Sequence, residues 1–259
     1  MIKNVVNWKV FWVLFIASIF GGIAVLPYAF SLQEDLLTQI PFPLPLFILF
    51  AVVQISVLFF VAILVGLVIA KKIGFGAPIL QRWAEKKEVK THLSKILAPS
   101  IGLGVIAGSL ILLGDYLLLI IADIQLSLPS HRPPLWQGFL GSFYGGINEE
   151  ILLRLCFMSI LIWLFIKIKR QKNNTPTPFM VWIAISIAAV FFGILHLPMT
   201  SAITAITPAI IVRAVLLNGI GGVIFGWLYW KKGLESAMIS HFSANMILHV
   251  VFPFVQLLF

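Results

Sequence analysis

One cysteine in 259 residues, Cys156, is too little for an internal disulfide, a paired-cysteine redox centre or a multi-cysteine zinc site. Charge is scarce as well: 10% of the residues are charged, and Asp and Glu together number 9. A soluble domain carries about a quarter charged and about half apolar residues. Here 61% are hydrophobic and the mean hydropathy is +1.07. That balance excludes a water-soluble globular fold and points to a polytopic membrane protein. Linkers, low-complexity tracts and internal repeats are also missing, so nothing splits the chain into independent modules.

A helix needs about 20 mostly apolar residues to cross the bilayer core. Seven segments qualify, 8–30, 42–70, 96–122, 139–166, 179–197, 208–230 and 235–258. The expected fold class is all-α, a membrane helix bundle of about seven spans, with six to eight compatible with the soft boundaries. No small-residue cleavage site follows the weakly basic start, Met1 to Lys9, so the first span is read as a retained helix and not a signal peptide.

Lys and Arg total 18, giving a net charge of +9. In a membrane chain such an excess marks the cytoplasmic loops and their attraction to anionic lipid, so the bilayer, not nucleic acid, is the expected partner. Under a seven-span count, Lys3 and Lys9, the run from Lys71 to Lys95, Lys167 to Lys172, and Lys231 with Lys232 all fall on one side. The opposite loops hold only Arg132. This predicts a cytoplasmic N-terminus and an outer C-terminus. The segment 71–95 intersperses Ile73, Phe75, Ile79, Leu80 and Trp83 among its basic residues, so it reads as amphipathic and surface-lying. Asn173-Asn174-Thr175 matches a glycosylation sequon but falls on the cytoplasmic side and is discounted. Gly219, Gly221, Gly222 and Gly226 in the sixth span suit close helix packing or leave room for a substrate.

The chemistry concentrates in the second half. Glu149 and Glu150 sit in an apolar run from Phe139 to Ile166, with Arg154 four residues beyond Glu150. Ionisable groups at membrane depth are costly and by default mark function. Residues four apart share a helix face, so Glu150 and Arg154 can pair, while Glu149 lies round the cylinder and stays free. A free carboxylate in a partly dry cavity suits a general base. The competing reading is that both glutamates merely pin helices against Arg154 and Arg213. His196 closes the fifth span, and His241 shares a face of the seventh with Asn245. His241 and Asn245 can both donate hydrogen bonds to a developing oxyanion, or serve as polar glue between helices. At 1.5 Å per residue, Glu149 and His241 fall near mid-membrane, whereas His196 comes out nearer the outer face unless its helix ends inside a cavity. Asp115 and Arg213 are expected to neutralise each other or reach the interface, His92 and His131 to be solvated loop residues, and His249 to pack helices.

The order EE-x-x-x-R, F-x-x-x-H, H-x-x-x-N, carried by Glu149, Glu150 and Arg154, by Phe192 and His196, and by His241 and Asn245, resembles the CPBP family of intramembrane proteases. That family includes type II CAAX prenyl endopeptidases and bacteriocin-immunity (Abi) proteins. The likeness covers about residues 135–250, leaving 1–134 as N-terminal membrane helices and 251–259 as the end of the last helix. It implies an endopeptidase in which Glu149 and His196 activate a water while His241 and Asn245 steady the oxyanion, with Glu150 and Arg154 supporting. The substrates it implies are membrane-associated peptides or proteins, prenylated ones among them, in a bacterial or archaeal cell membrane. There is no H-E-x-x-H motif, so no metal is favoured; a zinc, if used, would take Glu149, His196 and His241. A non-catalytic immunity or peptide-binding protein is the alternative. A transporter is the more distant one, because the internal repeats common in transporters are not seen.

Overall fold

The computed structural model describes residues 6–33, 41–122, 124, 132–170, 174–201 and 204–258. Lys3, His131, Lys172 and Asn173, named above, lie outside the described residues. Among those described, seven helices are long and apolar enough to cross a membrane. They are α1 (Trp8–Leu32), α2 (Leu44–Ile73), α4 (Lys90–Ile121), α5 (Leu135–Ile168), α6 (Pro178–Ser201), α7 (Pro208–Lys232) and α8 (Leu234–Gln256). A short helix, α3 (Pro78–Ala84), lies between α2 and α4. The chain is an all-α integral membrane protein.

Local sequence sets several of the starts. Thr177 and Thr207 accept hydrogen bonds from the backbone N–H groups of Met180 and Ile210, and proline follows each threonine at the first helical position. The threonine satisfies a donor left open by the first turn, and proline there gives up an N–H that would be unpaired anyway. α7 and α8 are joined through Gly233 alone, whose φ of 96° suits a residue without a side chain. α4 starts at Lys90, earlier than the apolar window at 96 suggested, so His92 is not a loop residue. It is exposed in the first turn of α4, 3.7 Å from Glu88.

The apolar core joins α1, α2, α5, α6 and α7 through Phe11, Phe59, Ile63, Leu155, Ile185 and Phe225. Large apolar side chains such as Phe50, Val57, Ile121 and Phe179 remain exposed on the outer surface, where lipid tails take the place of water. α8 is held at close range by α4, because a Cβ at Gly104 would run into the Ser240 carbonyl. This is the small-residue packing that membrane helices favour. The glycine cluster of α7 divides: Gly222 and Gly226 pack on Ala189 and Ile185 of α6, whereas Gly221 faces an internal cavity.

Much of the segment 71–95 is helical, Lys71–Ile73 ending α2 and Lys90–Lys95 beginning α4. The part between is clamped across the ends of α7 and α8. The Leu80 N–H donates to the Glu235 carboxylate at 2.8 Å, the Leu234 N–H donates to the Gly76 carbonyl at 2.9 Å, and Phe75 packs edge-on to Tyr229.

Candidate active site

α5 departs from a regular α-helix where the site lies. Tyr144–Glu149 and Ile151–Met158 form wide π-helical turns, with Glu150 between them. Such turns are rare and gather at functional sites. They leave Glu149 and Glu150 in different surroundings. The Glu150 side chain is fully buried (0% exposed), with its Oε2 3.3 Å from Arg154 Nε and its Oε1 2.8 Å from His241 Nδ1. The Glu149 side chain is 21% exposed and lines the cavity, its Oε2 3.5 Å from His241 Nε2.

Arg154 is buried at 1% exposure and framed by aromatic rings, its guanidinium 5.2 Å from the Phe192 ring centre and 5.7 Å from that of Phe225. A cation over aromatic faces is stabilised by the ring quadrupole, more so when desolvated. The same two rings fix the histidines. Phe225 stacks on His241 at 4.5 Å, and Phe192 meets His196 edge-on at 4.7 Å. The phenylalanine of F-x-x-x-H is thus a shared wall between the arginine and both imidazoles.

His196 donates its Nδ1–H to the Phe192 carbonyl at 2.8 Å, because a carbonyl can only accept. That fixes the tautomer and leaves Nε2 as an acceptor. The regular part of α6 ends at Leu195, and one further turn, Leu197–Ser201, continues beyond His196. His196 therefore sits about 8 Å inside the end of its span at 1.5 Å per residue and lines the same cavity as Glu149. The depth mismatch expected from the sequence is resolved by that extra turn.

The cavity holds about 650 Å³, within the usual range for small-ligand sites. Glu149, His196, His241 and Asn245 all line it. Gly145 makes room for the pair on α8: a Cβ there would meet Asn245 Nδ2 and come within 3.0 Å of His241 Nε2. His249, expected to pack helices, also lines the cavity and is bound through Nδ1 to the Tyr28 hydroxyl at 3.0 Å. Tyr144 and Asn218 are lining polar groups that the motifs do not include. Asn218 could have been found, because an amide inside an apolar span asks for a partner; it donates to the Ala214 carbonyl of its own helix at 2.9 Å. Asp115 and Arg213 pair with each other at 2.6 Å, so Arg213 is not the glutamates' partner. Among the described residues, no three of the His, Cys, Asp and Glu side chains form a group that could hold a metal ion.

Comparison with known proteins adds one match, to the family model for type II CAAX prenyl endopeptidase Rce1-like proteins, over residues 131–247. No curated protein and no solved structure matches the chain. The matched stretch contains all of the motif residues, from Glu149 to Asn245. Residues 131–247 of this integral membrane protein are therefore similar to the type II CAAX prenyl endopeptidase Rce1-like family.

Proposed function

We propose that this protein is an intramembrane endopeptidase that hydrolyses a peptide bond with a water activated by Glu149 and His196. The observation carrying this reading is the division between the two glutamates: Glu150 is locked between Arg154 and His241, while Glu149 faces a cavity that His196, His241 and Asn245 also line. A membrane protein gains no stability from a carboxylate at that depth, so its presence asks for chemistry.

In the proposed reaction Glu149 accepts a proton from water, with the Nε2 lone pair of His196 orienting the water. The oxygen attacks the carbonyl carbon, and the carbonyl oxygen takes the negative charge. Asn245 Nδ2 donates to that oxyanion. His241 gives Nδ1–H to Glu150, so its Nε2 joins as a donor when the ring carries both protons, with the charge lying between two carboxylates. Collapse breaks the C–N bond, and the departing nitrogen receives the proton that Glu149 took. Glu150 and Arg154 touch no reacting atom; they hold His241 in place. The substrate class is an apolar segment of a membrane-associated polypeptide, prenylated substrates being one version of it.

The test is purified protein in detergent, incubated with a quenched fluorescent peptide library. Cleavage products that require the intact cavity support the reading. Saturable peptide binding with no hydrolysis would replace it with the immunity or peptide-binding alternative.

A further inference from the structure

The cavity has a direction. Its floor is formed by Glu149, Phe192, Phe225 and His241, and its other end by the last turns of α1 and α6, at Leu32 and Met199. His241 and Phe225 each lie seven residues from the end of their helix that meets Gly233, roughly 10 Å at 1.5 Å per residue. The cavity runs away from that end. Along α8 it continues from His241 through Asn245 to Leu248 and His249, and along α5 back from Glu149 to Gly141.

The charge of the molecule has a direction too. Lys71 and Lys72 end α2, Lys90 begins α4, Lys167 ends α5, and Lys231 and Lys232 end α7. The structure gathers these ends on one face. The Lys9 ammonium donates to the Ala84 carbonyl at 3.5 Å, and α3 is tied to the start of α8 through Glu235. Among the described residues, apart from Arg154 and Arg213 inside the spans, the one Lys or Arg not on this side is Arg132. A bias of this size sets the basic face in the cytoplasm.

We infer that the catalytic cavity opens away from the cytoplasm, and that its substrate is an unwound apolar segment of a polypeptide presented at the outer leaflet. This deepens the protease reading above and rests on it. The lining favours such a segment. Leu32, Met199 and Leu248 line the mouth, Tyr28 and His249 beside them are bound to each other, and Glu149, His196, His241 and Asn245 lie further in. From Leu248 to His241 is again roughly 10 Å along the axis. An extended chain advances about 3.3–3.6 Å per residue, so about three extended residues bridge the approach. The cut bond then lies a few residues from the point where the substrate leaves the outer surface.

Two single-cysteine variants in a Cys156→Ala background test the direction: Met199→Cys at the cavity mouth and Lys95→Cys on the basic face. Both are expressed in sealed right-side-out membrane vesicles and exposed to a membrane-impermeant maleimide. The inference expects Met199→Cys to react before permeabilisation and Lys95→Cys only after detergent is added. A Met199→Cys that stays unreacted until permeabilisation overturns it, whatever Lys95→Cys does. The wild-type protein is then reconstituted in liposomes, sorted by orientation, and given a quenched leucine- and alanine-rich peptide with a charged solubilising end. Cleavage is expected when the outer face points to the peptide, and cleavage only from the basic face overturns the inference. If neither orientation cleaves while the maleimide pattern holds, the protease reading fails and the outward direction of the cavity stands.

Discussion

α4 and α7 share one ion pair near their ends on the side away from the basic helix ends, whereas α5 and α8 share a cluster of four ionisable groups midway along their spans. The first, Asp115 with Arg213, is one acid against one base at 2.6 Å, with side chains 28% and 18% exposed. It cancels itself and leaves nothing over. The second sets Glu149 and Glu150 against Arg154 and His241, and its members are not equivalent. Arg154 and His241 both hold Glu150, the arginine as an ion pair at Oε2 and the imidazole by a hydrogen bond at Oε1, while Glu149 meets the far side of the imidazole. The difference teaches how a membrane protein separates holding from doing. A pair that pins helices is closed, and a cluster that does chemistry keeps one group facing open space.

Removing the arginine breaks the closed side of the cluster most severely. Arg154→Ala leaves the fully buried Glu150 without its cation, and breaking a buried pair in this way costs about 3–5 kcal/mol. The variant should express poorly or melt at a markedly lower temperature in a detergent thermal-shift measurement. Unchanged melting would make Arg154 irrelevant to Glu150.

Asn245→Ala attacks the open side instead. Loss of one oxyanion donor typically costs ~10²–10³ in rate. Because the donor acts in the transition state, peptide affinity should stay close to wild type. Turnover is counted per folded molecule, so a packing role would show the reverse pattern, with stability damaged and the folded fraction fully active.

The closed pair supplies the contrast. An Asp115→Asn, Arg213→Gln double variant removes a partly exposed pair, of a kind worth about 1 kcal/mol or less. Its turnover per folded molecule should match wild type. A loss comparable to that of Asn245→Ala would place this pair in the chemistry. Smallest of all is the expected response to a strong metal chelator, which should leave turnover unchanged. Inactivation reversed by added zinc would turn Glu149, His196 and His241 into ligands.

Much of this architecture is legible in the sequence because the bilayer enforces it. The seven apolar runs coincide with the seven long helices to within a few residues, except where a polar first turn hides the start of α4. The Glu150–Arg154 pair follows from four-residue spacing, and the Asp115–Arg213 pair from the need to neutralise each charge. The bond from Glu150 to His241 was not legible, because it depends on how α5 and α8 are set side by side, which spacing within one helix cannot reveal. The π-helical turns of α5 were equally hidden. An apolar stretch that is buried nearly all round carries little periodicity by which to distinguish a wide turn from an ordinary one. From helix rise alone His196 comes out nearer the outer face unless its helix ends inside a cavity, and the sequence does not show the further turn, Leu197–Ser201, that continues beyond it.

The central claim is that two adjacent carboxylates have been given different work. It is tested most directly by Glu149→Gln and Glu150→Gln measured side by side, each for melting temperature and for peptide turnover per folded molecule. The account predicts that Glu149→Gln melts like wild type and loses essentially all turnover, because an amide cannot accept the proton from water. Glu150→Gln should lower the melting temperature, because Arg154 then lacks its counter-charge. Near-wild-type turnover by folded Glu149→Gln would contradict the account.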